Sequence, residues 1–345
     1  MITSNIFDEE YEIRLANKDD ISNIMRFIDL YWKKNHIMAV NRSFFEYEFL
    51  EKDGQVNFVI AISRENRSIE GVLGFLFSSS QENRRDVWGS IWKVKSGNRG
   101  MLGIELLKRM EILSKCRYDI GIGANPTTTI PIMKMLFNRE TGKMKHFYML
   151  ADLDKENFKI AKISYIPTYC ELNFQDVVIS INRVEQLEGF FELDERVRDI
   201  PYKDLAYLEK HYFKHPIYRY KIYGIHKSGN GQIEAVVICR EQEYEDRKVL
   251  RIVDYIGDRE LMTLTGGFWK TQISNFEYEY VDFYCYGFED EYLYKAGFSY
   301  IKDNDDNVIP NYFSPYVQEN IDIWIHVPTD GVLICKADGD QDRPN

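Results

Sequence analysis

The sequence predicts an α/β (α+β) fold, built as two tandem domains, each a mixed, twisted sheet flanked by helices. Three observations predict it. The 345 residues are 44% hydrophobic and 29% charged, which exceeds the needs of one ordinary domain and suffices for two cores. Stretches with helical apolar spacing alternate with short apolar or alternating runs along the whole chain. The order of these elements in the first half returns, more loosely, in the second.

The first element is a short strand at 11–16. Asn17 to Asp20 form a helix entry, after which Ile21, Ile24, Met25, Ile28 and Tyr31 share one face at helical spacing. A second, shorter helix ends near Gly54. NFVIAIS at 57–63 and IEGVLGFLFSS at 69–79 read as strands joined by a polar turn. Then comes DVWGSIWKVKSGNRGMLGIELL at 86–107, where alternating aromatic and β-branched residues stop at a Gly-bearing turn and a Leu-rich helical pattern begins. A strand that feeds such a turn aims backbone N–H groups and the positive end of a helix dipole at one point, a device for holding phosphate. Its glycines, at 97, 100 and 103, lack the spacing of G-x-G-x-x-G, and no Gly-Lys-Ser/Thr follows.

Beyond the helix at 101–116 lie the apolar run YDIGIGANP, a helical stretch through Met133 and Phe137, and a strand at 145–150. Strand, helix, strand implies a crossover and locally parallel pairing. In the second half, 202–224 opens as helix and ends as strand, 233–241 pairs with 247–257, and 259–273 is helical. A strand at 280–287 and EYLYKAGFSY complete the set. No phosphate turn follows the strand that ends at Asp254. The stretch 166–188 has no clear helical period, so domains of 1–170 and 171–345 are expected.

A formal net charge of −11 argues against a broad nucleic-acid surface, because phosphate neutralisation needs surplus Lys and Arg. The opening residues show no basic and apolar leader pattern, and no apolar run approaches a membrane span, so a cytoplasmic protein with no membrane partner is expected. Cys116, Cys170, Cys239, Cys285 and Cys335 are widely spaced and odd in number, which supports neither a disulfide framework nor a metal site.

The element order over 10–165, with its phosphate-type turn after the fourth strand, resembles the GNAT acyltransferases. Their turn, Q/R-x-x-G-x-G/A, aligns with Asn98-x-x-Met101-x-Gly103, and Met101 replaces the middle glycine. Tyr294-Lys-Ala-Gly297-Phe298 resembles the closing element of the same fold. NHIMAVNRSFFEY, RIVDYIG, VDFY and the terminal KADGDQDRPN together make the chain similar to tandem-GNAT N-acyltransferases of nucleotide-linked amino sugars. That resemblance implies acyl-CoA as donor, no metal, and the amine of a dTDP-linked amino-deoxy sugar as acceptor. It implies 3-hydroxybutanoyl as a transferred group, a place in surface-polysaccharide synthesis, and a second domain contributing to acceptor binding. The family's tyrosine acid has no counterpart, since Met133 stands in its place.

Acyl transfer to an amine needs a neutral amine, a donor for the oxyanion and a proton for the departing thiolate. The fourth strand at Trp92, Lys93 and Val94 is the expected oxyanion donor. Asn98, Arg99, Gly100, Met101, Leu102 and Gly103 are the expected pyrophosphate arm, acting through backbone N–H groups. His36, after the first helix, is a candidate base, or complements the helix dipole in a last turn. Asn125 holds the pantetheine or the amine, or forms a turn before Pro126. Candidate acceptor residues are Asn41, Phe45 and Tyr47, although the aromatic spacing also suits a core. His215, or a solvated loop histidine, is another. Asp338, Asp340 and Arg343 join them if the polar tail is ordered, Arg suiting phosphate and Asp sugar hydroxyls. Three readings stay open: the sugar-nucleotide transferase, a paired-GNAT enzyme with another acceptor such as charged tRNA, and a non-catalytic binding module. A monomer or homodimer is expected.

Overall fold

A computed structural model describes residues 6–97, 101–192, 199–227 and 231–344. Internal contacts divide the chain into two units, the first running to Ile122 and taking in Arg343, the second spanning Gly123–Asp342.

In the first unit, β1 (Tyr11–Asn17), β2 (Gln55–Ser63), β3 (Ile69–Phe77), β4 (Val87–Val94) and β5 (Asp119–Ile122) lie side by side in sequence order. The first four are antiparallel and β5 is parallel to β4. β2 is buried on both faces from Val56 to Ile62, as its apolar run, broken only by Asn57, requires. Its helices are α1 (Ile6–Glu10), α2 (Ile21–Phe27), α3 (Ile37–Val40), α4 (Arg42–Phe49) and α5 (Leu102–Ser114). Asn17 and Asp20 form a capping box ahead of α2, which buries Ile21, Ile24 and Phe27 and runs on as a π-helical turn, Ile28–Trp32. α5 buries Leu102, Leu106, Leu107 and Met110 and ends on Lys115 at φ 52°.

In the second unit the strands are β6 (Glu140–Lys143), β7 (Lys145–Leu150), β8 (Val178–Ile181), β9 (Tyr220–His226), β10 (Ile233–Tyr244), β11 (Arg247–Gly257), β12 (Tyr278–Tyr286), β13 (Ser299–Tyr300), β14 (Tyr312–Phe313), β15 (Tyr316–Val317), β16 (Trp324–Val327) and β17 (Ile334–Cys335). The main sheet runs β13-β7-β12-β11-β10-β9-β8, with β11 and β12 parallel and its other pairs antiparallel. Its helices are α6 (Thr129–Leu136), α7 (Glu188–Glu192), α8 (Leu205–Leu208), α9 (Gly266–Phe276) and α10 (Asp290–Lys295). Trp269 and Ile273 of α9 pack on Leu250, Ile252, Val281 and Phe283 to form the core.

The expected boundary at 170/171 falls inside the second unit. β7, expected in the first domain, pairs with β12 from Tyr280↔Leu150 to Cys285↔Lys145. Glu279 then accepts the backbone N–H groups of Lys159, Ile160 and Ala161 and fixes the irregular stretch after β7. An apolar alternation identifies a strand but carries no address for the sheet that takes it.

Candidate functional site

β4 breaks its pairing on both edges at one place. Against β3, Leu73 faces Trp92 but Phe75 faces Gly89, so two residue steps of β3 span three of β4 and the strand bulges between Gly89 and Trp92. Against β5, the parallel ladder ends at Trp88↔Ile120, although both strands continue, so they part from Gly89 onward. Ser90 lies in the bulge, and its Oγ accepts a hydrogen bond from Nη1 of Arg343 at 3.1 Å.

α5 starts beside this strand. Trp92 Nε1 donates to the carbonyl of Gly103 at 3.2 Å, which ties β4 to the first turn of the helix. A Cβ on Gly103 would stand 3.3 Å from that same nitrogen, a tight approach to the indole. Met101, exposed, is the N-cap residue and makes no capping bond with its side chain. Leu102 is fully buried. Asn98, Arg99 and Gly100 lie outside the described residues. Lys93 and Val94 are in regular register with Val72 and Gly71. The irregular backbone therefore lies at Ser90–Ile91, earlier than the expected Trp92–Val94.

The second unit repeats this arrangement and fills it. Ile238 faces Asp254 and Cys239 faces Ile252, which makes Val253 the extra residue of a bulge in β11. The β11–β12 ladder ends at Ile252↔Phe283, and β17 takes the next places on β12, pairing Cys335 with Cys285 and Ile334 with Tyr286. Ala337 N–H donates to the Val253 carbonyl at 2.7 Å. Lys203 reaches both Asp254 and Asp338 at 2.6 Å, and Tyr212 donates to Asp254 at 2.6 Å. Burial opposes the charge on Lys203, but Asp254 and Asp338 hold its pKa well above the ordinary lysine value. Burial pushes Asp338 up to about 7. The helical turn after β11 carries its own anion, since Asp258 accepts from Glu260 N–H at 3.0 Å.

Asp254, Cys335 and Asp338 stand close enough together to suggest a metal centre. The Lys203 ammonium already bridges both carboxylates, and burial holds the Cys335 thiol well above its usual pKa, so a thiolate ligand is disfavoured.

The structure gives each of the remaining expected residues a definite place. His36 is not in a last turn: it is the N-cap of α3, 3% exposed, its Nδ1 accepting from Met38 N–H at 3.2 Å beside the edge of Trp32. Asn41 caps α4 through Phe44 N–H at 3.0 Å. Phe45 is core, packed on Phe49 and Phe58. Tyr47 is half-buried on Phe44, and burial raises its hydroxyl far above the usual pKa. Asn125 is exposed and accepts from Thr127 and Thr128 N–H groups, shaping the turn into α6. His215 is not a solvated loop residue. It is 5% exposed, accepts from Tyr218 N–H at 2.8 Å, and is pushed by burial down to about 4.

The polar tail is folded. Asp338 is fully buried, accepts Cys335 N–H and pairs with Lys203, and so does not face a sugar. Asp340 accepts from Gln341 Nε2 at 3.2 Å, and Asp342 is gripped by Arg240. The arrangement brings together Trp92 with Gly103, and Arg343 with Ser90. Ser90 escaped the sequence reading, although a glycine inside a strand, here Gly89, is a bulge signal.

No known sequence family matches the chain, and no curated protein matches it in sequence. Solved structures do match. A GCN5-related N-acetyltransferase from Anabaena variabilis superposes with a TM-score of 0.53 at 13% identity, over 92% of this chain and 72% of that one. A conserved protein of unknown function from Enterococcus faecalis, described as a probable N-acyltransferase, superposes with a TM-score of 0.50 at 12% identity, over 79% of this chain and 64% of that one. No helix of the described residues is long and apolar enough to cross a membrane. The chain has a GNAT-type α/β fold, with mixed sheets flanked by helices in a tandem arrangement.

Proposed function

We propose that the chain is an acyl-CoA-dependent N-acyltransferase whose acceptor is the amine of a dTDP-linked amino-deoxy sugar. The observation that carries the donor half is the parting of β4 from β5 at a bulge, with the start of α5 alongside. The β4 edge from Gly89 to Val94, beyond its β5 ladder, suits an extended, amide-bearing arm by strand addition. The first-turn N–H groups of α5, which Met101 leaves without a side-chain cap, suit the pyrophosphate. In the second unit the corresponding gap is filled by 334–337, which supports one donor per chain.

The chemistry is nucleophilic. The amine nitrogen attacks the thioester carbonyl carbon, the C–N bond forms, the C–S bond breaks, and the amine proton leaves with the thiolate. Holding the two reactants in line supplies much of the rate. His36 uses Nδ1 in its cap, so no base is assigned to that atom. The sugar nucleotide and the 3-hydroxybutanoyl group rest on the sequence resemblance, and the net charge of −11 favours them over charged tRNA.

The test is release of free CoA thiol. The purified protein is mixed with acetyl-CoA or 3-hydroxybutanoyl-CoA and a panel of dTDP- and UDP-linked amino sugars. Thiol release that requires a dTDP-linked amine supports the proposal. Silence across the whole panel overturns it, and release with UDP-linked sugars alone overturns the dTDP assignment.

A further inference from the structure

We propose that Arg343 is a catalytic residue of the first unit: its guanidinium, held on Ser90 in the bulge of β4, meets the thioester oxygen as it becomes an oxyanion. The inference rests on the acyl-transfer reading above and adds to it a side chain that the backbone argument does not contain.

Two features carry it. The bulge is where β4 breaks register with β3 and parts from β5, and a Cβ built on Gly89 would meet no atom within 4 Å outside its own chain neighbours, so the backbone at Gly89 can be approached closely. The Nη1–Oγ distance of 3.1 Å places a positive charge at that same point, in a chain whose net charge is −11.

When the amine attacks, the C=O π pair moves onto oxygen, and the guanidinium stabilises that charge by ionic hydrogen bonding. The pair then returns, the C–S bond breaks, and the departing thiolate takes the proton released by the amine nitrogen, so CoA leaves as the free thiol. Arg343 neither gains nor loses a proton.

The experiment compares the wild type with R343Q, R343K, R343A and S90A. CoA affinity is read by calorimetry and turnover by thiol release. CoA itself should bind all five within about twofold. R343Q should lose turnover by about 10²- to 10³-fold, the scale of a lost oxyanion donor. R343K should fall between, S90A should lose about tenfold, and added guanidinium should restore part of the R343A rate. R343Q turning over within threefold of wild type overturns the inference. So does a joint loss of CoA binding and melting temperature without guanidinium rescue, which would mark Arg343 as structural. A wild type that binds no CoA and releases no thiol overturns the acyl-transfer reading itself, and is recognised without any variant.

Discussion

β4 and β11 take the same course: each bulges against an antiparallel neighbour and then parts from a parallel one, at Gly89–Trp92 in the first unit and at Val253 in the second. What meets the bulge differs. In the second unit a backbone does, as Ala337 N–H caps the Val253 carbonyl and Cys335 continues the ladder on Cys285. In the first unit a side chain does, Arg343 on Ser90. The helical segment after each strand differs in the same sense, with Asp258 capping one and Met101 offering no side-chain cap to the other. The shared backbone geometry is therefore a scaffold, and its use is decided by what the chain places into it. Filling the gap satisfies its polar edges internally.

The largest effect should come from the staple of the filled gap. Lys203→Met leaves Asp254 and Asp338 facing each other without their cation, and stability should fall by about 3–5 kcal/mol, read from urea unfolding. A loss under about 1 kcal/mol would show that the segment at 334–338 is held by other means.

Acid should weaken the same unit next. His326 is 6% exposed, and burial, with Arg139 nearby, pushes it down to about 3. The unfolded chain then binds the extra proton first, so the stabilisation present above about pH 6.5 fades as pH falls toward the folded value. Between pH 7 and 5 this amounts to about 2 kcal/mol for His326, and His215, pushed down to about 4, acts in the same direction. Chemical denaturation at both pH values checks it, and H326Q should flatten the slope; an unchanged slope would remove His326 from the account.

Ala337→Pro deletes the N–H that caps Val253 and should cost about 1–3 kcal/mol. Stability indistinguishable from wild type would mean that this bond does not close the gap. The smallest effect concerns the first unit. Trp92→Phe removes the bond to the Gly103 carbonyl, at about 0.5–1.5 kcal/mol, and should weaken CoA binding by loosening the start of α5. Calorimetry on the variant decides, since unaltered affinity would separate the Trp92–Gly103 tie from the donor site.

By itself the sequence determined the main elements of each half. The strand at 145–150 was legible to the residue, the helix at 101–116 to within two residues at either end, and the strand pair at 233–241 and 247–257 nearly so, because side-chain periodicity is set locally by the pleat and the helical turn. Tandem architecture followed from their order. Partners were not legible. Asp338 and Asp342 read as a polar tail, yet the fold brings Lys203 and Arg240 to them and buries both. His36 and Asn41 each cap a helix whose exact start no apolar pattern marks. Which strand edge is filled by residues from far along the chain depends on long-range pairing alone. That pairing placed Arg343 on Ser90, and it is the part of the site that tertiary structure decided.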